Sequence, residues 1–372
     1  MDLMKTYELG ELLPYEQPSK YIVNSTEYSD RYPTPVLTAG KSFILGYTDE
    51  TDNIFDELPV IIFDDFTTAS QYVDFKFKVK SSAMKILHIN IDLVLPKYIY
   101  YLLQTIHIEH STHKRYWIQQ FSKVKVNIPS IPEQERIVSQ IEESLSQLDS
   151  AVETLKKTKQ QLEVYRQAVL REVFSQCEQS VEIKTVCKHV TDGDHMPPPK
   201  AETGIPFIMI SNINGNTIDW SDTSFVGKEY YNTIGDKRTP QKGDVLYTVT
   251  GSFGIPVLID FEKEFCFQRH IALLRPNEKI EQEFLYYALQ DSTVYAQASK
   301  RATGTAQKTV GLTVLRTISI PFTTSKEKQS MMVSIIKNRL SQCDMVEKTV
   351  NQSLQQAEAL RQSILKQAFE GT

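Results

Sequence analysis

The chain contains itself twice. Tyr165-Arg166-Gln167-Ala168-Val169-Leu170-Arg171-Glu172-Val173-Phe174 returns as Leu360-Arg361-Gln362-Ser363-Ile364-Leu365-Lys366-Gln367-Ala368-Phe369, an offset of 195 residues (360 less 165). The same offset lays Gln134 on Gln329, Val138 on Val333, Ile141 on Ile336 and Asp149 on Asp344, with no gap from 133 to 174. Upstream the echo drifts but persists. Ile99-Tyr100-Tyr101-Leu102-Leu103-Gln104 resembles Leu285-Tyr286-Tyr287-Ala288-Leu289-Gln290, and Asn127-Ile128-Pro129 resembles Ser319-Ile320-Pro321. One structural unit is therefore used twice: a globular part, an Ile-Pro boundary, a long segment, then the same again. The boundaries fall at 1–130, 131–177, 178–325 and 326–372.

Each long segment reads as one helix. In the first, Ile141, Leu145, Leu148, Val152, Leu155, Leu162 and Val169 mark a coiled-coil seam, interrupted by Lys159 and Arg166. The second places Ile336, Leu340, Cys343, Val350, Leu354, Ala357 and Ile364 on the same register, with Glu347 and Arg361 polar. At 1.5 Å per residue, ~42 residues make a rod of roughly 60 Å. Two seams of equal length in one chain bury each other most economically; the alternative is two amphipathic helices, each packed on its own domain. Few residues separate Phe174 from the second globular part near Val181. The expected architecture is thus an antiparallel coiled coil with a globular part at each end, related by a pseudo-twofold axis.

The globular parts mix short strands with one helix each, an α+β composition. In the second, residues 243–250 and 265–268 read as strands around a turn at Gly251-Ser252-Phe253-Gly254; in the first, 60–63 and 73–79 play that role. The helices fall at 96–106 and about 281–297. Catalytic motifs do not hold up. Gly40-Lys41-Ser42 lacks the earlier glycine of a phosphate loop, which falls on Pro35. No Gly-rich cofactor loop or Asn/Asp-Pro-Pro-aromatic motif marks a methyltransferase, and Glu182-Ile183-Lys184 lacks the Pro-Asp that a nuclease motif needs. His107, His110 and His113 are spaced to hold a metal but have only Glu109 beside them. Asp192-Gly193-Asp194-His195 reads as a turn leading into Pro197-Pro198-Pro199. Four cysteines without a C-x-x-C pair, no signal-peptide pattern and no membrane-length apolar run lead us to expect a cytoplasmic protein.

Charge first argues against nucleic acid: 41 Lys and Arg against 46 Asp and Glu give −5. The average hides local structure. Residues 292–326 contain no acid but carry Lys300, Arg301, Lys308, Arg316 and Lys326. The equivalent stretch of the first copy, 110–132, is also acid-free, with Lys114, Arg115, Lys123 and Lys125; a third, 75–91, carries Lys76, Lys78, Lys80 and Lys85. Basic stretches with Ser, Thr and Gln donors at matching places in both copies suit a polyanion.

This arrangement resembles the specificity subunits of type I restriction–modification systems. Ile128-Pro129-Ser130-Ile131-Pro132-Glu133-Gln134-Glu135-Arg136-Ile137-Val138 is similar to the start of that family's first spacer helix, and the run from Leu360 to Gly371 to its C-terminus. Gly243-Asp244-Val245-Leu246, Gly251-Ser252-Phe253-Gly254 and Phe267-Gln268-Arg269-His270-Ile271-Ala272-Leu273-Leu274-Arg275-Pro276 resemble its second target-recognition domain. Pro35-Val36-Leu37-Thr38-Ala39-Gly40-Lys41 and Lys80-Ser81-Ser82-Ala83-Met84-Lys85 resemble a common first one. The resemblance implies a non-catalytic subunit whose two domains each read half of a bipartite site in double-stranded DNA. It implies two modification subunits that methylate adenine N6 with S-adenosylmethionine, and restriction subunits using ATP and Mg; this chain itself would bind no cofactor. The second copy departs by three extra residues (195 less 192) and by Lys328 in place of Glu133.

For DNA contact we select Thr38, Lys41, Lys80, Ser81, Lys114, Arg115 and Tyr116 in the first domain. In the second we select Thr250, Gly251, Ser252, Phe253, Gln268, Arg269, His270, Arg301, Thr303, Thr305, Gln307 and Lys308. A tight glycine turn lets backbone N–H groups approach DNA. Arg to guanine and Gln to adenine are the pairings that geometry favours, although Arg269 could instead pair with a structural carboxylate. The net charge implies weak DNA binding by the isolated chain. Rival readings are a coiled-coil scaffold whose end domains hold proteins, and a lone nuclease or methyltransferase, which the missing motifs disfavour.

Overall fold

Both long segments are unbroken helices, Ile131–Phe174 and Lys326–Glu370. The computed structural model describes residues 4–40, 42–106, 108, 115–305 and 307–370. Pro132 sits in the first turn of the first helix, where a missing N–H costs nothing. Ser325 starts the second, its Oγ accepting from the Lys328 N–H at 3.1 Å. The chain divides into two units, Met1–Leu155 with Gln352–Thr372, and Lys156–Asn351, so each contains a lobe and a stretch of both helices.

In the first unit Ile137, Ile141 and Leu145 are buried with Leu365, flanked by half-buried Leu148, Ile364, Ala368 and Phe369. Arg361 pairs with Asp149 there. In the second unit Val169, Leu170 and Val173 share a core with Met332, Val333, Ile336 and Leu340. Its polar contacts give the direction: Lys159 meets Asn351 (3.0 Å), Arg166 meets Asp344 (2.7 Å) and Glu347 (2.9 Å), and Glu172 meets Arg339 (2.7 Å). The partner number falls as the first rises, so the helices are antiparallel. The seam-breaking Lys159 and Arg166 thus meet the polar residues of the other helix.

The lobes repeat one topology. In the first, Lys5–Glu8 pairs antiparallel with Lys125–Ile128; in the second, Gln179–Glu182 pairs with Ser319–Phe322. Each pair closes its lobe just before a long helix. A four-stranded antiparallel sheet follows, in the order Tyr15–Glu16, Met84–His88, Val60–Asp64, Ser70–Val73. Its counterpart runs Cys187–Asp192, Ile271–Pro276, Val245–Thr248, Pro256–Leu258. A second sheet orders Ile44–Thr48, Thr34–Leu37 and Lys78–Val79, the last pair parallel. The other lobe matches it with Ser224–Val226, Ile205–Ile208 and Cys266–Phe267, again with the last pair parallel.

Sequence and structure differ at two elements. The strand expected at 73–79 is two strands, Ser70–Val73 and Lys78–Val79, in different sheets. The helix expected at 281–297 is broken into Gln282–Ala288 and Ser292–Arg301, because Asp291 caps the second, accepting from Thr293 N–H at 2.7 Å. Among the described residues no helix is long and apolar enough to cross a membrane, and no group of three or more His, Cys, Asp or Glu could hold a metal. His107, His110 and His113 lie outside those residues.

Buried Gln134 and Gln329, aligned by the repeat, do the same work. Each begins a long helix and ties it to its lobe. Gln134 Oε1 accepts from Leu95 N–H (2.8 Å), while Nε2 donates to the Pro129 carbonyl (2.9 Å). Gln329 Oε1 accepts from Glu281 N–H (2.8 Å), and Nε2 donates to Thr323 (2.8 Å) and Lys279 (2.9 Å). Leu95 and Glu281 are the cap residues of the two lobe helices, whose N–H groups have no partner inside the helix.

Candidate nucleic-acid interface

In each lobe the parallel strand pair ends in a turn that carries selected residues. Strand Lys78–Val79 runs into Lys80 and Ser81, and Cys266–Phe267 into Gln268, Arg269 and His270. Lys80 N–H donates to Leu37 O and Gln268 N–H to Ile208 O, both at 3.0 Å, so the turns start at the same topological point. Thr38 directly follows the neighbouring strand Thr34–Leu37 and is half-buried. Lys80 and Arg269 are exposed, and neither forms a salt bridge among the described residues. Arg269 is therefore not held by the structural carboxylate considered above.

A second cluster forms beside the turn in the second lobe. Gly251, at φ +70°, donates its N–H to the Lys308 carbonyl at 3.0 Å. Thr309 Oγ1 donates to Thr250 Oγ1 at 3.3 Å. Thr303 and Thr309 exchange backbone hydrogen bonds (2.9 and 2.7 Å), closing a small hairpin that presents Thr305, Gln307 and Lys308 to solvent. Thr250, Gly251, Ser252, His270 and Gln307, distant in sequence, line one cleft of about 440 Å³. Gln268, Arg269 and His270 line a neighbouring apolar one of about 430 Å³, floored by Phe207, Met209 and Phe225.

Several selected residues are placed otherwise. Tyr116 is 3% exposed in the core of the first lobe, where its ring serves packing, while Arg115 before it is exposed. Phe253 is 8% exposed and stacks on Tyr295, ring centroids 5.5 Å apart. Thr250 contributes an edge rather than an open side chain, at 9% exposure. Arg301 is half-buried and donates to Thr317 Oγ1 (3.0 Å) and the Val314 carbonyl (3.4 Å), so it braces the fold. Lys41 and Lys114 lie outside the described residues.

The basic stretch at 75–91 is not a basic face. Lys78 is buried against Glu50 (2.9 Å), Lys85 is buried against Asp65 (3.3 Å), and Lys76 pairs with Asp56 (3.4 Å). The carboxylates come from elsewhere in the chain, so local sequence concealed them. Only Lys80 of the four lacks an ion pair among the described residues.

Sequence reasoning set aside Asp192-Gly193-Asp194-His195 as a turn, but the segment lies directly under the second turn. Asp194 N–H donates to the Phe267 carbonyl (2.9 Å), and Arg269 N–H donates back to Asp194 O (3.0 Å). Arg238 reaches Asp194 Oδ1 at 3.2 Å and donates to the Gly193 carbonyl and to Asp192 O (3.0 Å). Tyr230 OH donates to Asp194 Oδ2 at 2.9 Å; burial, then this contact, push its hydroxyl up to about 12, keeping it a donor at neutral pH.

The family model of the type I restriction modification DNA specificity domain matches residues 1–164 and again 179–356. The Escherichia coli type I restriction enzyme EcoR124I/EcoR124II specificity subunit is 45% identical over 174 residues, covering 44% of this chain and 43% of that protein. The Escherichia coli EcoBI specificity subunit is 26% identical over 274 residues, covering 66% of this chain and 57% of that one. The chain thus spans about half the length of these curated relatives. A solved chain, described in terms of complex assembly and conformational transition of the type I R-M system, superposes with a TM-score of 0.68. It is 16% identical, covers 98% of this chain and 97% of its own, and shares the fold.

Proposed function

This chain belongs to the family of the type I restriction modification DNA specificity domain, and we propose that it is the DNA-reading subunit of such a system. Each lobe reads one half of a bipartite site in double-stranded DNA, and the paired helices set the gap and dock two modification subunits and the restriction subunits. The chain is non-catalytic. It directs adenine-N6 methylation and cleavage by partners that bind S-adenosylmethionine, ATP and Mg.

One observation carries this reading. Both lobes end a parallel strand pair in a turn that starts at the same topological point and carries an exposed cation, Lys80 as the first residue of one turn and Arg269 as the second of the other. An Arg fork can engage guanine O6 and N7, and nearby Gln268 can engage adenine. Lys308 and the Gly251 turn suit phosphates. The reading is tested by assembling the chain with its methyltransferase partner and selecting bound duplexes from a random-sequence pool. Two short constrained stretches separated by an unconstrained gap are expected. Retention of DNA without sequence enrichment would instead fit a protein scaffold.

A further inference from the structure

We propose that base choice at each half-site depends on a charged anchor outside the reading turn: Asp194 with Arg238 and Tyr230 in the second lobe, Glu50 with Lys78 in the first. This rests on the DNA-reading role above and names the residues that position its contacts.

The two anchors fix segments that occupy one place in the repeated topology. In the first lobe a segment runs parallel to Lys78–Val79, with Val23 N–H donating to the Val79 carbonyl at 3.0 Å. In the second, Asp194 N–H makes the same bond to Phe267. Each segment therefore lies beside the last residue before a turn, so its displacement moves the turn. Each is then fixed by a carboxylate. Glu50 Oε1 accepts from Asn24 N–H (2.8 Å) and Ser25 N–H (3.1 Å), while its Oε2 pairs with Lys78, itself 1% exposed. Asp194 is the equivalent hub, holding Arg238 and Tyr230 with its carboxylate and the Arg269 N–H with its carbonyl.

The fit around the second anchor leaves no slack. A Cβ added at Gly193 would lie 1.9 Å from the Phe267 carbonyl oxygen, backbone that cannot step aside. The segment and the turn are thus in direct backbone contact, and Arg238 closes it from the other side through the Asp192 and Gly193 carbonyls. Arg and Gln readers work only when their forks meet the base edge in plane, and a supporting residue that shifts a reader by a fraction of an ångström is felt as lost discrimination. Two lobes with different residues at the anchor have arrived at one device.

The test is the random-pool selection, run on the full chain with its methyltransferase partner. Arg269→Ala first identifies the base pairs that the second turn reads. Asp194→Asn is then expected to lower discrimination about tenfold at those base pairs, and Tyr230→Phe to lower it by a smaller factor at the same ones. The other half-site and the affinity for non-specific DNA should stay at wild-type values. Glu50→Gln should act on the opposite half-site alone. Should Asp194→Asn fail to fold, Tyr230→Phe and Glu50→Gln decide the matter. Variants that melt like wild type and keep full discrimination, or lose both half-sites equally, overturn the proposal. If wild type and Arg269→Ala both select no motif, the DNA-reading role itself fails and takes the anchor with it.

Discussion

Arg269 and Lys308 differ in what their surroundings permit. Arg269 is exposed at the tip of a turn whose backbone is fixed on both sides, while Lys308 stands on a hairpin edge. Arg269→Ala should cost about 1–3 kcal/mol at one base pair and relax preference there; Lys308→Ala should weaken all sequences alike and reduce the salt slope by about 1. Binding titrations over a salt series separate the two. Gln329 belongs to stability instead. Replacing it by Leu leaves the Glu281 N–H and the Lys279 and Thr323 carbonyls without their partner. Such losses typically cost about 1–3 kcal/mol for each buried group left unsatisfied. Gln329→Leu should therefore lower the denaturant midpoint substantially. An unchanged midpoint would remove the brace from this account. The repeat made Gln134 and Gln329 visible as a pair, but their role was not legible, because the Leu95 and Glu281 N–H groups that they tie to the long helices lie 39 and 48 residues away.

At the scale of elements, the long helices were legible because an apolar period sustained over forty-odd residues, broken at only two seam positions in each helix, has one solution. Short strands were harder. Residues 73–79 alternate like one strand, yet tertiary pairing sends their ends into separate sheets. Lys78 and Lys85 looked like a basic face because their carboxylates, Glu50 and Asp65, lie outside the local run. Arg301 looked free for a different reason: its partners, the Thr317 hydroxyl and the Val314 carbonyl, are neutral groups of the same run. The departure noticed at the start of the second helix, Lys328, gains a structural meaning: it pairs with Glu178 and donates to the Gln176 carbonyl at 2.6 Å. The Lys328 ammonium beside it holds the Glu178 carboxyl down at about 2. A carboxylate depressed in the folded state adds stability above its ordinary range, near 4.5, and loses it as pH falls from there toward 2. Glu178→Gln should therefore narrow the gap in melting temperature from wild type as pH drops through that window. The effect should be small, since the Glu178 carboxylate is solvent-exposed.

At the scale of the whole molecule, duplication is the property from which the rest follows. The net charge of −5 averaged exposed cations on two turns with acidic residues paired along the helices. Deleting residues 148–154 together with 356–362, stretches that meet through Asp149 and Arg361, removes about 10 Å of helix from each rod. If the helices set the gap, the unread stretch should shorten by about three base pairs, at 3.4 Å per step. Both half-sites should keep their sequences. The most direct measurement of the central claim is a map of methylated adenines in a host expressing this chain with its modification partners. The account predicts two short defined half-sites at a fixed separation, present only when this chain is present. Methylation without a two-part motif, or a motif indifferent to this chain, would contradict it.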